Sequence, residues 1–169
     1  MRKPFLLFIL TILPIVAMAD AVEIDGIFFN LNGEEKVAEV TIKPSYYTGV
    51  VNIPQTVTYE NVTYNVTSIG KQAFERCSSL TSVTIPNGVK SIGISAFFWS
   101  GLTSVTIPNS VTSIGGYAFA YCKSLSSVTI PNSVTSIEEA TFADCSGLTS
   151  MTIPNSVKSI GWSAFNRCI

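Results

Sequence analysis

From Leu80 onward the apolar and polar positions follow one line that is written four times. Leu80-Thr81-Ser82-Val83-Thr84-Ile85-Pro86-Asn87 returns as Leu102 to Asn109, as Leu125 to Asn132 with Ser126 replacing threonine, and as Leu148 to Asn155 with Met151 replacing valine. The step is 22 or 23 residues, a fixed period that predicts a solenoid in which each copy is one coil stacked on the next. Within a copy, Ser82-Val83-Thr84-Ile85 alternates with period two, which predicts a short strand with one buried face. Pro86 cannot donate to a ladder and ends that strand, and Asn87-Gly88 or Asn109-Ser110 turns the corner. The second half, Ser91-Ile92-Gly93 through Ala96-Phe97, predicts a further short extended or turn-like element that carries a large aromatic side chain.

Comparing the four copies separates positions held by the fold from positions left free. Held are Leu80, Val83, Ile85, Pro86, Val89, Ile92, Ala96 and Phe97, with Pro108 and the other counterparts down to Leu148, Met151, Ile153, Val157, Ile160 and Phe165; these are expected to stack as ladders through the core. Free are the corner residues Arg76, then Phe98 and Trp99, then Tyr117 and Tyr121, then Glu139 and Asp144, then Trp162 and Arg167. Aromatic and arginine side chains anchor protein interfaces, so Trp99, Tyr117, Tyr121 and Trp162, with Phe98 and Arg76 beside them, are candidate contacts. A second candidate surface is the outward hydroxyl row Thr84, Thr106, Thr129 and Thr152, although threonine also favours strands for their own sake.

The start of the chain reads differently. Arg2 and Lys3, the apolar run Phe5 to Val16 and Ala17-Met18-Ala19 match a secretory signal peptide over residues 1–19. Residues 20–50 predict a β-hairpin around Asn32-Gly33 that closes the open end of the core. Residues 51–169 are the solenoid, in which Val51-x-Ile53-Pro54 begins a first coil that resumes at Val66-Thr67-Ser68-Ile69-Gly70 after an insertion near 58–65, expected as a loop at one coil edge. The line breaks off at Ile169 where a strand would follow, so the array is expected to belong to a longer one.

Composition narrows the chemistry. Without the leader, 8 basic residues face 11 acidic ones, and only 12% of the chain is charged, which argues against the clustered basic face that nucleic acid requires. No apolar run after the leader is long enough to cross a membrane. Histidine is absent, which removes Ser-His-Asp, Cys-His and His-zinc sites together. The adjacent carboxylates Glu34-Glu35 and Glu138-Glu139 lie beside a turn signal and on a coil surface, with nothing to separate their pKa values. No enzyme and no cofactor are therefore expected. Cys77, Cys122, Cys145 and Cys168 share one coil position, three residues after the ladder phenylalanine, with Ser100 in that place in one coil. Neighbouring coils about 4.8 Å apart allow a bridge by distance, but parallel side chains in a column suit buried free thiols.

The pattern Leu-Thr-Ser-Val-Thr-Ile-Pro-Asn-Ser-Val-x-Ser-Ile-Gly-x-x-Ala-Phe-x-x-Cys resembles the BspA-like leucine-rich repeat family of bacterial surface proteins, over Val66 to Cys168 and again from Val51. The resemblance implies a β-rich leucine-rich-repeat solenoid of about 23 residues per coil, secreted or held at the bacterial surface, and non-enzymatic. It also implies adhesion, with host matrix proteins such as fibronectin and fibrinogen as partners. A glycan is the other ligand class to expect. The alternative is a spacer with no ligand of its own. Asn61-Val62-Thr63 and Asn65-Val66-Thr67 are glycosylation sequons only in a eukaryotic pathway.

Overall fold

The computed structural model describes residues 21–168; the signal peptide read over residues 1–19 lies outside them. Each coil from Leu80 onward contributes one three- to five-residue strand from the Ser-Val-Thr segment and one two-residue strand from Ser-Ile. The first set, β4 (Gly49–Asn52), β7 (Leu80–Thr84), β9 (Ser104–Thr106), β11 (Ser127–Thr129) and β13 (Ser150–Thr152), forms a parallel sheet in strict coil order. Every step pairs like with like: Val83 lies on Val105, Val105 on Val128, and Val128 on Met151. The second set is β6 (Val62–Ile69), β8 (Ser91–Ile92) and β10 (Ser113–Ile114), then β12 (Ser136–Ile137) and β14 (Ser159–Ile160) as a separate pair.

The break between β10 and β12 has a one-residue cause. After Ser-Ile comes glycine in every coil but one, and a Cβ at Gly93, Gly115 or Gly161 would sit 2.6–2.7 Å from the backbone nitrogen of the preceding coil. Those glycines let their N–H groups reach back at 2.7–2.8 Å to the carbonyls of Ile69, Ile92 and Ile137. Glu138 occupies this position in one coil only, and the ladder opens there. Gly115→Ala is expected to cost about 1–3 kcal/mol by forcing two backbones apart, while Glu138→Ala changes stability by no more than about 0.5 kcal/mol because that coil is already set apart. Urea melts of the two variants check this, and equal losses would show that the glycines are not held by close approach.

The third side of each coil, Gly70 to Cys77 and its copies, is a run of tight turns. Its alternate N–H groups reach forward to the next coil: Gln72, Phe74 and Arg76 donate to the carbonyls of Ile94, Ala96 and Phe98 at 3.0, 2.7 and 2.8 Å. The residues between them donate three positions back within the turn, as Glu75 does to Gln72. This alternation needs left-handed backbone at two positions per coil. Arg76, Trp99, Tyr121, Asp144 and Arg167 occupy one such column, and Gln72, Ser95, Tyr117, Ala140 and Ser163 the other, with φ between 51° and 62°. None is glycine, so the stacked hydrogen bonds hold a backbone that would otherwise cost about 1–2 kcal/mol per residue.

Between the three sides lies the core. Phe74, Phe97, Phe119, Phe142 and Phe165 form one column of parallel rings with centroids 5.0, 5.2, 5.4 and 5.6 Å apart and interplanar angles of 7° or less. Valine, isoleucine and leucine ladders surround it, and the held positions up to Leu148 are buried, except that Pro86 and Pro108 are half-buried because they turn the corner at the strand ends. The last coil departs from expectation. Ile153 and Ile160 are 42% and 52% exposed, because no described coil follows to cover them.

At the other end the predicted single hairpin is a three-stranded antiparallel meander, β1 (Val22–Ile24), β2 (Ile27–Asn32) and β3 (Val37–Val40). Asp25 and Gly26, both at positive φ, make a tight turn of the kind that suits hairpins and divide what alternation reads as one strand. β3 runs parallel to β6 and joins the meander to the second sheet. Phe29 and Val40 are fully buried against the first coil. Tyr47 tops the phenylalanine column, 4.6 Å from Phe74, and its hydroxyl donates to the Thr41 carbonyl at 2.9 Å while accepting the Phe28 N–H at 3.0 Å. The insertion expected as a loop is instead a hairpin: β5 (Thr56–Tyr59) pairs antiparallel with β6 through a Glu60-Asn61 turn at positive φ.

Candidate interaction surface

The hydroxyl face lies where alternation puts it. Thr84, Thr106, Thr129 and Thr152 are exposed on the long sheet, and Thr84 Oγ1 donates to Asn52 Oδ1 at 2.9 Å. The neighbouring hydroxyl column is spent on architecture: Thr81, Thr103, Ser126 and Thr149 each donate to a carbonyl of the coil before, at 3.0–3.3 Å. A groove of about 440 Å³ runs between Ser82–Asn87 and Ser104–Asn109. It is the larger concavity, but it is uncharged and has no aromatic anchor.

The corner is different in kind. Phe98 meets Tyr121 edge to face at 5.3 Å, and Trp99 leans on Tyr121 at 6.1 Å and 32°. Phe98, Tyr117 and Tyr121 pack on a small buried patch of Ala120, Ala140 and Ala143, separate from the main core. Tyr117 donates its hydroxyl to Glu139 Oε1 at 2.8 Å, and that hydrogen bond to the carboxylate raises its pKa. Trp99 stays 53% exposed. The structure therefore brings four of the predicted contacts together. Trp162 stands apart, 78% exposed on the last coil, and Arg76 reaches the cluster from the other side, its Nε 3.7 Å from Glu75 Oε1.

Sequence reasoning missed how this corner is shaped. Two residues separate the cysteine position from the next ladder leucine in every coil except one, where Gly101 alone follows Ser100. In the longer corners Leu80, Leu125 and Leu148 close a turn onto the carbonyls of Cys77, Cys122 and Cys145 at 3.0 Å. The short corner cannot make that turn, and the Gly101 N–H donates across to the Cys77 carbonyl at 3.1 Å. A Cβ on Gly101 would lie 2.1 Å from the Ser78 carbonyl oxygen. Two clefts flank Trp99 as a result, one of about 390 Å³ against Arg76 and Ser78, the other of about 160 Å³ toward Tyr121, Lys123 and Ser124. The signal was legible as a step of 22 among steps of 23.

The cysteine column is structural. Its four thiols are free, and Cys122, Cys145 and Cys168 donate to the ladder-phenylalanine carbonyls of the preceding coil, Phe97, Phe119 and Phe142, at 3.1, 3.1 and 2.9 Å. Ser100 takes the same place and meets Cys122 Sγ at 3.3 Å. Burial pushes the Cys122 thiol up to about 11 and raises Cys145 further, so neither is a nucleophile near neutral pH. Among the described residues no cluster of cysteine and carboxylate groups is placed to hold a metal ion, and no helix is long and apolar enough to cross a membrane.

A stacked coil with a parallel sheet, an aromatic column and its variable chemistry on the outside defines a leucine-rich-repeat solenoid. The chain belongs to the BspA type leucine rich repeat family, whose profile matches residues 41–169 in six copies. The family is one of bacterial surface proteins. Among solved structures, a leucine-rich repeat protein from Bacteroides capillosus is 33% identical over 83% of this chain and 86% of its own, with a TM-score of 0.52. A leucine rich cell surface protein from Faecalibacterium prausnitzii is 28% identical over 88% of this chain and 52% of its own, with a TM-score of 0.61. The pneumococcal vaccine antigen PcpA shares the fold at 23% identity and a TM-score of 0.63, over 88% of this chain and 47% of its own. The chain thus spans about half the length of the latter two. No curated protein matches it in sequence.

Proposed function

We propose that the chain is an exported, cell-surface binding module that holds a protein partner through the corner built by Phe98, Trp99, Tyr117 and Tyr121. The observation that carries this reading is the exposed Trp99 indole, braced on Tyr121 and set on a backbone fixed by its neighbours. An aromatic already held in place loses little freedom on binding, which is what makes such residues anchors. The leader over residues 1–19 supports export, and the family supports a bacterial surface with host matrix proteins, fibronectin and fibrinogen among them, as the partners to try.

The test is saturable binding of the protein from Asp20 onward to immobilised fibronectin and fibrinogen, with Trp99→Ala and Tyr121→Ala alongside. Loss of an anchor of this kind is expected to weaken binding by about 2 kcal/mol, roughly thirtyfold, with the melting curve unchanged in the exposed Trp99→Ala and both variants still folded. Absence of binding by the folded protein would instead favour a spacer that carries another domain away from the cell.

A further inference from the structure

We infer that the notch at the shortened coil is a binding site for one acidic sugar residue, a pyranose bearing a carboxylate. Three departures from the repeat fall together there: the missing residue at Gly101, Ser100 in the cysteine position, and the exposed Trp99. Nothing in the architecture requires them together. The other coils close the same corner with one residue more and with no tryptophan.

What the notch presents is an exposed indole with one cation in each of the clefts that flank it. Trp99 and Ser78 line both clefts, with Arg76 in the larger and Ser100, Gly101, Tyr121, Lys123 and Ser124 in the smaller. No carboxylate lines either cleft, in a chain whose net charge is −1. Glu75 lies 3.7 Å from Arg76 at its Nε edge, and a planar carboxylate pairs best with the fork of the guanidinium. A pyranose lays its polarised C–H face on the electron-rich face of an indole, and its hydroxyls both give and take hydrogen bonds as serine does. An aromatic wall with a few convergent polar groups is the usual make-up of a small-ligand site.

A peptide strand fits less well, because three backbone N–H groups along the notch are already taken. The N–H groups of Arg76, Trp99 and Gly101 already donate to the carbonyls of Phe98, Ala120 and Cys77 at 2.8, 2.9 and 3.1 Å. Recognition falls to side chains, which suits a ligand rich in hydroxyls. The sugar site shares Trp99 with the protein-binding reading but does not depend on it, since a free sugar is enough to fill the notch.

Trp99 itself is the reporter. In a Trp162→Phe background, which leaves Trp99 as the only tryptophan, emission is followed while the protein from Asp20 onward is titrated with N-acetylneuraminic acid, glucuronic acid, glucose, N-acetylglucosamine and a short polyglutamate peptide. The expected result is a saturable change with one or both acidic sugars, at least about tenfold weaker binding of the neutral sugars, and a similar loss for the acidic sugars in the exposed double variant Arg76→Gln, Lys123→Gln. Insertion of one serine after Gly101, which restores the common corner length, is expected to abolish the response. Equal binding of neutral and acidic sugars, binding of polyglutamate alone, or no response to any sugar would each overturn the assignment. Retained fibronectin binding in the insertion variant would leave the protein-binding reading standing without it.

Discussion

Phe119→Ala is expected to lower the free energy of unfolding by about 3–5 kcal/mol, the usual cost of truncating a buried phenylalanine. Phe119 is fully buried and has a parallel ring on each side, Phe97 at 5.2 Å and Phe142 at 5.4 Å. A void at that point removes the contact through which one half of the column touches the other. Because each coil contacts only its neighbours, stability is close to a sum of interface terms, and losing a middle term should also loosen the coupling between the two halves. Denaturant unfolding followed by both Trp99 and Trp162, which lie on either side of Phe119 in the stack, reads both effects. A loss below about 1 kcal/mol would show that the column is not what holds the coils together. Phe165→Ala on the half-covered last coil should cost less, since less area is buried there.

Alkaline solution should unfold the protein well before any backbone chemistry begins. Burial raises Cys122 from 9.0 to about 11 and Tyr47 from 10.0 to about 12, and it raises Cys77, Cys145 and Cys168 as well. The folded chain therefore keeps protons that the unfolded chain releases, so the contribution of these groups is complete below about pH 9 and falls as pH rises through the folded values. For Cys122 the loss runs from about pH 9 to 11 and for Tyr47 from about pH 10 to 12, each shift of about two units being worth about 2.7 kcal/mol at most. Urea midpoints measured between pH 7 and 11 check the fall. Cys122→Ser, a replacement the chain already makes at Ser100, should make the fall above about pH 9 shallower by removing one of its contributors, and a midpoint unchanged up to pH 11 would refute the account.

The array was legible in the sequence because its physics is written once per coil. Alternation gave the strands, proline their ends, and identity across copies gave the buried ladders, down to the column of phenylalanines. What escaped depended on single residues acting between copies. Glu138 opens a ladder because of a Cβ, and that is invisible until two coils are seen 2.6–2.7 Å from contact at the equivalent glycines. Asp25-Gly26 and Glu60-Asn61 turn strands that alternation reads straight through. Tyr47 lies ahead of the four copies that share one line, yet it closes the column.

The candidate surface was legible as a list of variable corner residues but not as an arrangement. Phe98, Trp99, Tyr117 and Tyr121 meet because left-handed backbone at Trp99, Tyr117 and Tyr121 aims successive coils at one patch of alanines. No pattern of residue types announces positive φ in a run without glycine. Trp162 has the same chemistry and stands alone, so type by itself did not select the cluster.

The bonds between coils all lie along the axis of the stack, forward from the turns and backward from the Ser-Ile corners. A pull along that axis loads each interface in opening rather than in shear, so the coils separate in succession instead of the whole sheet yielding at once. Each coil that lets go releases about 23 residues, or roughly 75 Å of extended chain, and the coils that remain keep their own packing. Under sudden load such an array would give stepwise rather than all at once.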